Sequence, residues 1–133
     1  MLLLYYHSLC VISCLGLQAI ACRSIVKMKD LFSLKNRIAL VTGGSRGIGA
    51  MIVQGFLEHG CSRVYITARK AAQCDAAAKE LSQYGECISI PGDLSTQAGV
   101  MALAAAIAER EPTLDILVNN AGAAWMAEFD EFP

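Results

Sequence analysis

The stretch Thr42-Gly43-Gly44-Ser45-Arg46-Gly47-Ile48-Gly49 decides how the rest of this 133-residue sequence is interpreted. It follows a short apolar run over 37–41 and precedes a helical pattern over 46–59. The pyrophosphate of a dinucleotide needs a tight turn, a backbone that no Cβ shields, and a helix N-terminus aimed at it. Glycines also close purely structural turns, but a turn that opens a strand–helix–strand unit favours nucleotide binding. A phosphate P-loop is excluded, because no Gly-Lys-Ser/Thr stands at the required spacing.

Strand and helix patterns alternate from this turn onward. Short runs rich in apolar and β-branched residues predict strands over 37–41, 64–67, 87–90 and 115–118. Helical periodicity predicts helices over 46–59, 71–84 and 96–110. This alternation indicates a parallel sheet with right-handed crossovers. We therefore expect an α/β fold, a Rossmann-type doubly wound parallel sheet truncated after its fourth strand and preceded by an apolar N-terminal segment.

Two packing details follow from that fold. The first helix is expected to pack on the sheet through one apolar face, formed by Ile48, Ile52, Phe56 and Leu57. In a sheet of strand order 3-2-1-4-5-6, the fourth strand lies between the first and the fifth. Without a fifth strand among the 133 residues, we expect Ile116-Leu117-Val118 to form an unpaired apolar edge.

Composition and charge narrow the functional classes. Eleven Lys and Arg against 12 Asp and Glu leave a formal net charge of -1, so no basic field exists to hold nucleic acid. Hydrophobic residues make up 55% and charged residues 17%, which excludes intrinsic disorder. The six cysteines do not form paired Cys-x-x-Cys motifs, so no zinc or other metal site is predicted. The later three, Cys61, Cys74 and Cys87, are expected to be buried or half-buried free thiols, which suits a reducing compartment.

The apolar excess is concentrated in residues 2–22, which contain no Asp, Glu, Lys or Arg. As a helix they would extend about 31 Å, enough to cross a hydrocarbon core. Three interpretations stay open: a membrane anchor with the domain facing the cytosol, since basic residues follow; a secretory signal ending near Ala19-Ile20-Ala21; or a dispensable leader before a start at Met28. We expect an apolar leader over 1–27, a partial dinucleotide-binding domain over 28–133, and a cytoplasmic location, with membrane anchoring as the alternative.

The end of the second strand selects the cofactor. An NAD site usually places Asp or Glu there to bind the ribose 2′-hydroxyl. This chain has Thr67-Ala68-Arg69-Lys70 instead. Arg69, helped by Arg46, would pair with a 2′-phosphate through charge-assisted hydrogen bonds, although a solvated basic turn is the alternative. The cofactor predicted from these residues is NADP(H).

These motifs also resemble a family. Thr42-Gly43-x-x-x-Gly47-x-Gly49, Asp93-Leu94 and Asn119-Asn120-Ala121-Gly122 together resemble the short-chain dehydrogenases/reductases, over about residues 32–133. Within that family the stretches 32–47, 82–85 and 114–118 are most similar to NADPH-dependent 3-oxoacyl reductases of the rhamnolipid-pathway type.

The resemblance implies roles for residues beyond the glycine turn. Asp93 would bond the adenine amino group and Leu94 would lie near the ring, while Asn119, Ala121 and Gly122 would run past the adenosine ribose. Asn119 would also steady the central strands. From the residues alone, Asp93 equally suits a helix N-terminus, and 119–122 a plain strand-ending turn. The predicted cofactor-binding residues are Gly43, Ser45, Arg46, Gly47, Ile48, Gly49, Arg69, Asp93, Leu94, Asn119, Ala121 and Gly122.

The family's chemistry depends on a Ser and a Tyr-x-x-x-Lys that follow the Asn-Asn-Ala-Gly turn, because the Tyr supplies a proton when hydride reaches a carbonyl carbon. None of Tyr5, Tyr6, Tyr65 and Tyr84 has a Lys four residues later, so no catalytic residue is predicted.

The main hypothesis is the cofactor-binding portion of an NADP(H)-dependent oxidoreductase, inactive alone. As a complete enzyme it would act on a carbonyl or alcohol substrate such as a 3-oxoacyl thioester and form a homo-oligomer. The alternative is a complete but non-catalytic nucleotide-binding remnant or regulatory module.

Overall fold

Four strands and three helices alternate along residues 31–122, which are the part of the chain that the computed structural model describes. The elements are β1 (Ile38–Thr42), α1 (Gly47–Glu58), β2 (Arg63–Thr67), α2 (Ala71–Leu81), β3 (Cys87–Ser89), α3 (Gln97–Ala108) and β4 (Ile116–Val118). The chain divides into two compact units, Met1–Ser33 and Leu34–Pro133, and all seven elements belong to the second. The predicted leader over 1–27, and with it the boundary at residue 28, lies outside the described residues.

The strands form one parallel sheet in the order β3-β2-β1-β4. Leu40 in β1 is in register with Tyr65 in β2 and with Leu117 in β4. Parallel neighbours with an intervening helix are the products of βαβ crossovers. The predicted α/β class and strand order are confirmed, and β4 is an edge strand within residues 31–122.

Helices cover both faces of the sheet, because successive strand residues point to opposite sides. On one face, α1 and α2 pack Val53, Leu57 and Ala78 against strand residues such as Val41 and Ile66. On the other face, α3 packs its Leu103 and Ile107 against Leu40 and Tyr65. Burying an aliphatic side chain of this kind stabilises a fold by about 1.5–3 kcal/mol. The sheet is thus doubly wound, as the sequence predicts.

The packing face of α1 differs from the prediction. Leu57 is buried, and Ile52 and Phe56 are partly buried against the core, but Ile48 is 70% exposed. Val53 and Gly49 are buried instead. Ile48 lies in the first turn of α1 and lines the cleft beside the glycine turn, so the prediction that Ile48 joins the core was wrong.

Element ends differ from the predictions by at most three residues, and several coincide. The largest difference is in α2, which ends at Leu81 rather than at Tyr84. The Ser82 hydroxyl donates to the main-chain oxygen of Ala78 at 2.7 Å, and the Tyr84 N–H donates to that of Leu81 at 3.0 Å. These bonds close the helix with a turn before Gly85 is reached.

The three cysteines of the domain are buried free thiols, as predicted. Burial raises the pKa of each thiol, and that of Cys87 reaches about 11. A thiol in this state carries little thiolate at neutral pH and is chemically inert. Cys61, Cys74 and Cys87 therefore act as core side chains.

Candidate cofactor-binding site

A cleft of about 820 Å³ lies where β1 and β2 end, beside the glycine turn. In open parallel sheets, ligands bind beyond the carboxyl ends of the strands where the chain order reverses. Here β1 leads through α1 to β2 on one side, while β4 lies on its other side, so the cleft stands at that reversal point. Most of the predicted binding residues line it, namely Gly43, Ser45, Arg46, Gly47, Ile48, Gly49, Arg69, Ala121 and Gly122.

The glycine turn fits a phosphate ligand for two separate reasons. A Cβ at Gly49 would stand 2.2 Å from the main-chain oxygen of Gly43, so this position accepts only glycine without a shift of the loop. At Gly47 the φ angle is +54°, and a Cβ there would meet nothing within 4 Å. The open side of Gly47 therefore leaves backbone accessible, as a bound pyrophosphate requires.

The start of α1 is free to receive an anion. Its N-cap residue, Arg46, makes no side-chain capping hydrogen bond, and no acidic residue stands in the first turn. The first N–H groups of a helix lack intrahelical partners and carry a partial positive charge. In α1 these groups lie at the cleft that Gly47 and Ile48 line, where phosphate oxygens can accept their hydrogen bonds.

Three cations border the cleft, and none of its described lining residues is acidic. Arg69 and Lys70 follow β2, and Arg46 faces them from the glycine turn. The α2 N-cap, Lys70, also makes no side-chain capping bond, and Gln73 in the first turn lines the cleft as well. Lys70 and Gln73 are not among the residues predicted to bind the cofactor. Lys70 could have been predicted from its charge and its position next to Arg69, whereas no motif in the sequence points to Gln73.

Asp93 and Leu94 line a second, smaller cavity of about 240 Å³, which shares Arg69, Ala121 and Gly122 with the cleft. Asp93 Oδ1 accepts the Ser95 N–H at 3.0 Å. This hydrogen bond, with a smaller contribution from the charge of Arg69, holds the pKa of the Asp93 carboxyl below its ordinary value. The N-cap of α3 is Thr96, whose hydroxyl accepts the Gly99 N–H at 3.1 Å. Asp93 therefore does not cap the helix, and its carboxylate lies at the cavity as an anion.

The turn after β4 is tied to β1 by Asn120. Its side-chain amide donates to the main-chain oxygens of Thr42 at 3.1 Å and Gly43 at 3.3 Å. Asn119 is exposed and lines a separate apolar groove of about 600 Å³ beside α3. The resemblance assigns the role of steadying the strands to Asn119, and the structure corrects this assignment: Asn120 makes those contacts. Successive side chains of the turn point in opposite directions, so Asn119 faces the groove instead.

A buried polar network lies on the α3 side of the sheet. The hydroxyl of Tyr65 donates to Glu111 at 2.6 Å, and Arg63 pairs with the same carboxylate. Burial raises the pKa of Tyr65, while the bonds from Tyr65 and Arg63 lower that of Glu111. Tyr65 is only 1% exposed, so this phenol anchors the end of α3 to β2 and is not placed to meet a substrate. Sequence reasoning missed the network, in which Glu111 is 46 residues from Tyr65 and 48 from Arg63.

Other chemistry is not indicated within residues 31–122. No group of three or more His, Cys, Asp or Glu side chains in that part is arranged to hold a metal ion. Among the same residues, no helix has both the length and the apolarity needed to span a membrane. The apolar stretch 2–22 lies outside it.

Comparison with known proteins gives a consistent result. The profile of the family described as short chain dehydrogenase matches residues 37–133. The rhamnolipids biosynthesis 3-oxoacyl-acyl-carrier-protein reductase of Pseudomonas aeruginosa is 57% identical over 106 residues, which make up 80% of this chain and 41% of that protein. The chain spans from 24% to 41% of the length of the curated relatives it matches.

Solved structures agree in backbone as well as in sequence. The structure of the Pseudomonas aeruginosa RhlG/NADP active-site complex is 58% identical, with a TM-score of 0.73, over 77% of this chain and 40% of that one. L-sorbose reductase of Gluconobacter frateurii, in complex with NADPH and L-sorbose, is 29% identical, with a TM-score of 0.70, over 77% and 39%. The glycine turn, the strand order and the family profile together place this chain in the short-chain dehydrogenase family.

Proposed function

We propose that this chain binds NADP(H) in the cleft beside the glycine turn. The observation that carries this proposal is the trio Arg46, Arg69 and Lys70 around the cleft where β2 ends. A second phosphate on the adenosine ribose needs cations at this position, whereas NAD needs a carboxylate. Two similar proteins have NADP or NADPH bound in their solved structures, which supports the same choice here.

Each part of the cleft takes one part of the cofactor in this proposal. The exposed backbone at Gly47 and the free N–H groups of α1 hold the pyrophosphate. The guanidinium groups of Arg69 and Arg46 bind the 2′-phosphate, since planar N–H pairs match phosphate oxygens. The other predicted residues of the glycine turn line the same cleft, namely Gly43, Ser45, Ile48 and Gly49.

The remaining predicted residues take the adenosine. Asp93 and Leu94 bind the adenine in the smaller cavity, with the carboxylate accepting from the amino group. Ala121 and Gly122 lie along the ribose, where both cavities meet. Asn119 lines the apolar groove on the other side of the turn, so we expect it to contribute least to cofactor binding among the predicted residues.

The whole protein of which this is the cofactor-binding portion is proposed to reduce a carbonyl compound. Bound NADPH supplies hydride, and the residues described here bind and orient it. A 3-oxoacyl thioester is the substrate class that we favour, because the Pseudomonas aeruginosa relative carries that activity in its name. Most of that relative's length has no counterpart among the 133 residues, and we assign no catalytic residue within them.

We propose in addition that the domain comprises residues 28–133, separate from the apolar leader over 1–27, and that the protein is cytoplasmic and homo-oligomeric when complete. Membrane attachment through residues 2–22 is the alternative that cell fractionation with alkaline carbonate tests.

The central proposal is tested by titrating the 133-residue chain with NADPH and NADH in a calorimeter. We expect NADPH to bind at least about tenfold more tightly, because charge-assisted bonds to one phosphate contribute about 1.5–3 kcal/mol. Equal affinities would remove the 2′-phosphate from the proposal. The absence of binding by either nucleotide would favour a remnant without a cofactor.

A further inference from the structure

Thr67, the last residue of β2, has a hydroxyl that no other residue within 31–122 hydrogen-bonds. Its side chain is completely buried, and its Oγ1 is the one buried side-chain oxygen within residues 31–122 that lacks a hydrogen-bond partner. Buried polar atoms are almost always paired, because an unpaired one keeps the cost of leaving water. A partner for Thr67 is therefore expected.

The neighbouring strand makes the contrast clear. Thr42 ends β1 in direct register with Thr67. The Thr42 hydroxyl donates to the main-chain oxygen of Val118 at 3.2 Å and accepts two main-chain N–H groups, from Asn120 at 3.0 Å and Ala121 at 2.9 Å. The hydroxyls of two threonines at the same level of the sheet thus differ, because the turn after β4 supplies partners to that of Thr42 and no residue within 31–122 supplies one to that of Thr67.

The Thr67 side chain borders the smaller cavity that also contains Asp93 and Leu94. A Cβ built on Gly92, another residue of that cavity, would lie 3.7 Å from Thr67 Oγ1. The hydroxyl therefore faces the side of Gly92 that has no side chain. Gly92 is held there by its N–H, which donates to the main-chain oxygen of Ala68 at 3.1 Å. Because Oγ1 is buried, a ligand in the cavity reaches it only when the segment at Gly92 shifts, and a Cβ built on Gly92 would meet no other atom within 4 Å.

We propose that Thr67 is a specificity-determining residue that hydrogen-bonds the adenine ring of the cofactor from the floor of this cavity, an inference that rests on the proposed NADP(H) site. Adenine carries both donors and acceptors on its edges, and a hydroxyl serves either. Leu94 offers the ring an apolar surface, and Asp93 offers its amino group an acceptor. Thr67 then gains in the complex the partner that residues 31–122 do not supply.

The same residue also links the base to the phosphates. The main-chain oxygen of Thr67 accepts the Gly43 N–H at 2.8 Å, at the start of the glycine turn. A base held by the Thr67 side chain is thus positioned relative to the turn through a single residue.

The test compares Thr67→Val, which keeps the shape and removes the hydroxyl, with Thr67→Ser, which keeps the hydroxyl. Calorimetric titration of the 133-residue chain with 2′,5′-ADP probes the base and the 2′-phosphate without the nicotinamide. We expect Thr67→Val to bind about fivefold to tenfold more weakly and Thr67→Ser to bind within about twofold of the original chain. Without ligand, Thr67→Val should melt at the same or a higher temperature, because an unpaired buried hydroxyl is removed.

Two results would overturn the proposal. Unchanged 2′,5′-ADP affinity in Thr67→Val shows that the base does not use the hydroxyl, while the NADP(H) site itself stands. A lower melting temperature of ligand-free Thr67→Val, with Thr67→Ser unaffected, assigns the hydroxyl a partner within the protein. Failure of the original chain to bind 2′,5′-ADP removes the proposed function, and this inference with it.

Discussion

Asn120 donates two hydrogen bonds to Thr42 where β4 and β1 end, one from its side chain and one from its main chain. The Asn120 side-chain amide donates to the main-chain oxygen of Thr42 at 3.1 Å, and the Thr42 hydroxyl accepts the Asn120 N–H at 3.0 Å. One contact closes the end of β4 against β1, and the same amide reaches the main-chain oxygen of Gly43 at 3.3 Å. These hydrogen bonds therefore hold the glycine turn and the turn after β4 together where both line the cleft.

Replacing Asn120 by Asp removes both amide donors and turns a carboxylate toward two carbonyl oxygens. We expect a loss of about 1–3 kcal/mol in the free energy of unfolding, because partly buried acceptors are left without donors. Urea denaturation measures this loss. The matched control is Asn119→Asp at an exposed neighbouring position, where a change within about 0.5 kcal/mol is expected. A larger effect at Asn119 than at Asn120 would contradict the assignment.

Gly49→Ala tests the close approach within the glycine turn. Its Cβ would stand 2.2 Å from the main-chain oxygen of Gly43, so we expect a displaced loop and a destabilisation of about 1–3 kcal/mol. NADPH affinity should fall with it. Gly55→Ala in the same helix is the control, because a Cβ there meets nothing within 4 Å. That variant should be more stable by about 0.5–1 kcal/mol, since alanine is the better helix residue. Thermal melts and titrations of both variants provide the comparison.

Arg69→Gln removes the guanidinium proposed to bind the 2′-phosphate. We expect NADPH affinity to fall by about tenfold to a hundredfold, because a charge-assisted hydrogen-bond pair is lost. NADH affinity should change little. Lys79→Gln, in the last turn of α2, makes the same change in net charge away from the cleft and should leave both affinities unchanged. Equal losses for the two nucleotides would show that Arg69 acts on a part of the cofactor that both share.

Acid should destabilise the fold through Glu111 and Asp115. The pKa of Glu111 is lowered by its bonds to Tyr65 and Arg63, and that of Asp115 by the Ile38 N–H at 2.9 Å and then by Arg37. A carboxyl whose folded pKa is below its unfolded value stabilises the fold above the unfolded pKa. This contribution is lost as the pH falls through the folded value.

The free energy of unfolding should therefore stay level near neutrality and decrease below about pH 4. Urea titrations at successive pH values measure it. In the double variant Glu111→Gln with Asp115→Asn, both groups cannot titrate, so the decrease should become shallower. If the free energy of unfolding of the double variant decreases below about pH 4 as steeply as that of the original chain, other carboxyl groups cause the acid sensitivity.

The exposed edge at β4 should promote self-association. Leu117 is 55% exposed on a strand whose described neighbour is β1 alone. Lysine on an edge strand discourages strand pairing between molecules. We expect Leu117→Lys to lower the association of the 133-residue chain in sedimentation velocity. Met51→Lys is the control, since Met51 is equally apolar and 71% exposed but lies on a helix. A similar reduction by both would indicate general repulsion of charge.

Local patterns in the sequence predict the alternating elements and the strand order well. A run such as 64–67 forms a strand because its apolar and β-branched side chains suit a sheet buried on both faces. The glycine turn is equally local, because the φ angle at Gly47 and the space at Gly49 are properties of a few adjacent residues. These features made the fold class, the cleft and two of its three cations, Arg46 and Arg69, predictable.

Those patterns do not predict which side chains from distant parts of the sequence contact each other. Ile48 fits a helical stripe but is exposed and lines the cleft, and Asn120 rather than Asn119 bonds Thr42. Periodicity specifies the element a residue joins, but contacts between distant elements depend on strand register and on how each turn leaves its strand. The unused hydroxyl of Thr67 beside the fully bonded Thr42 is the consequence: the two residues are alike in the sequence, and the loops packed above them are not.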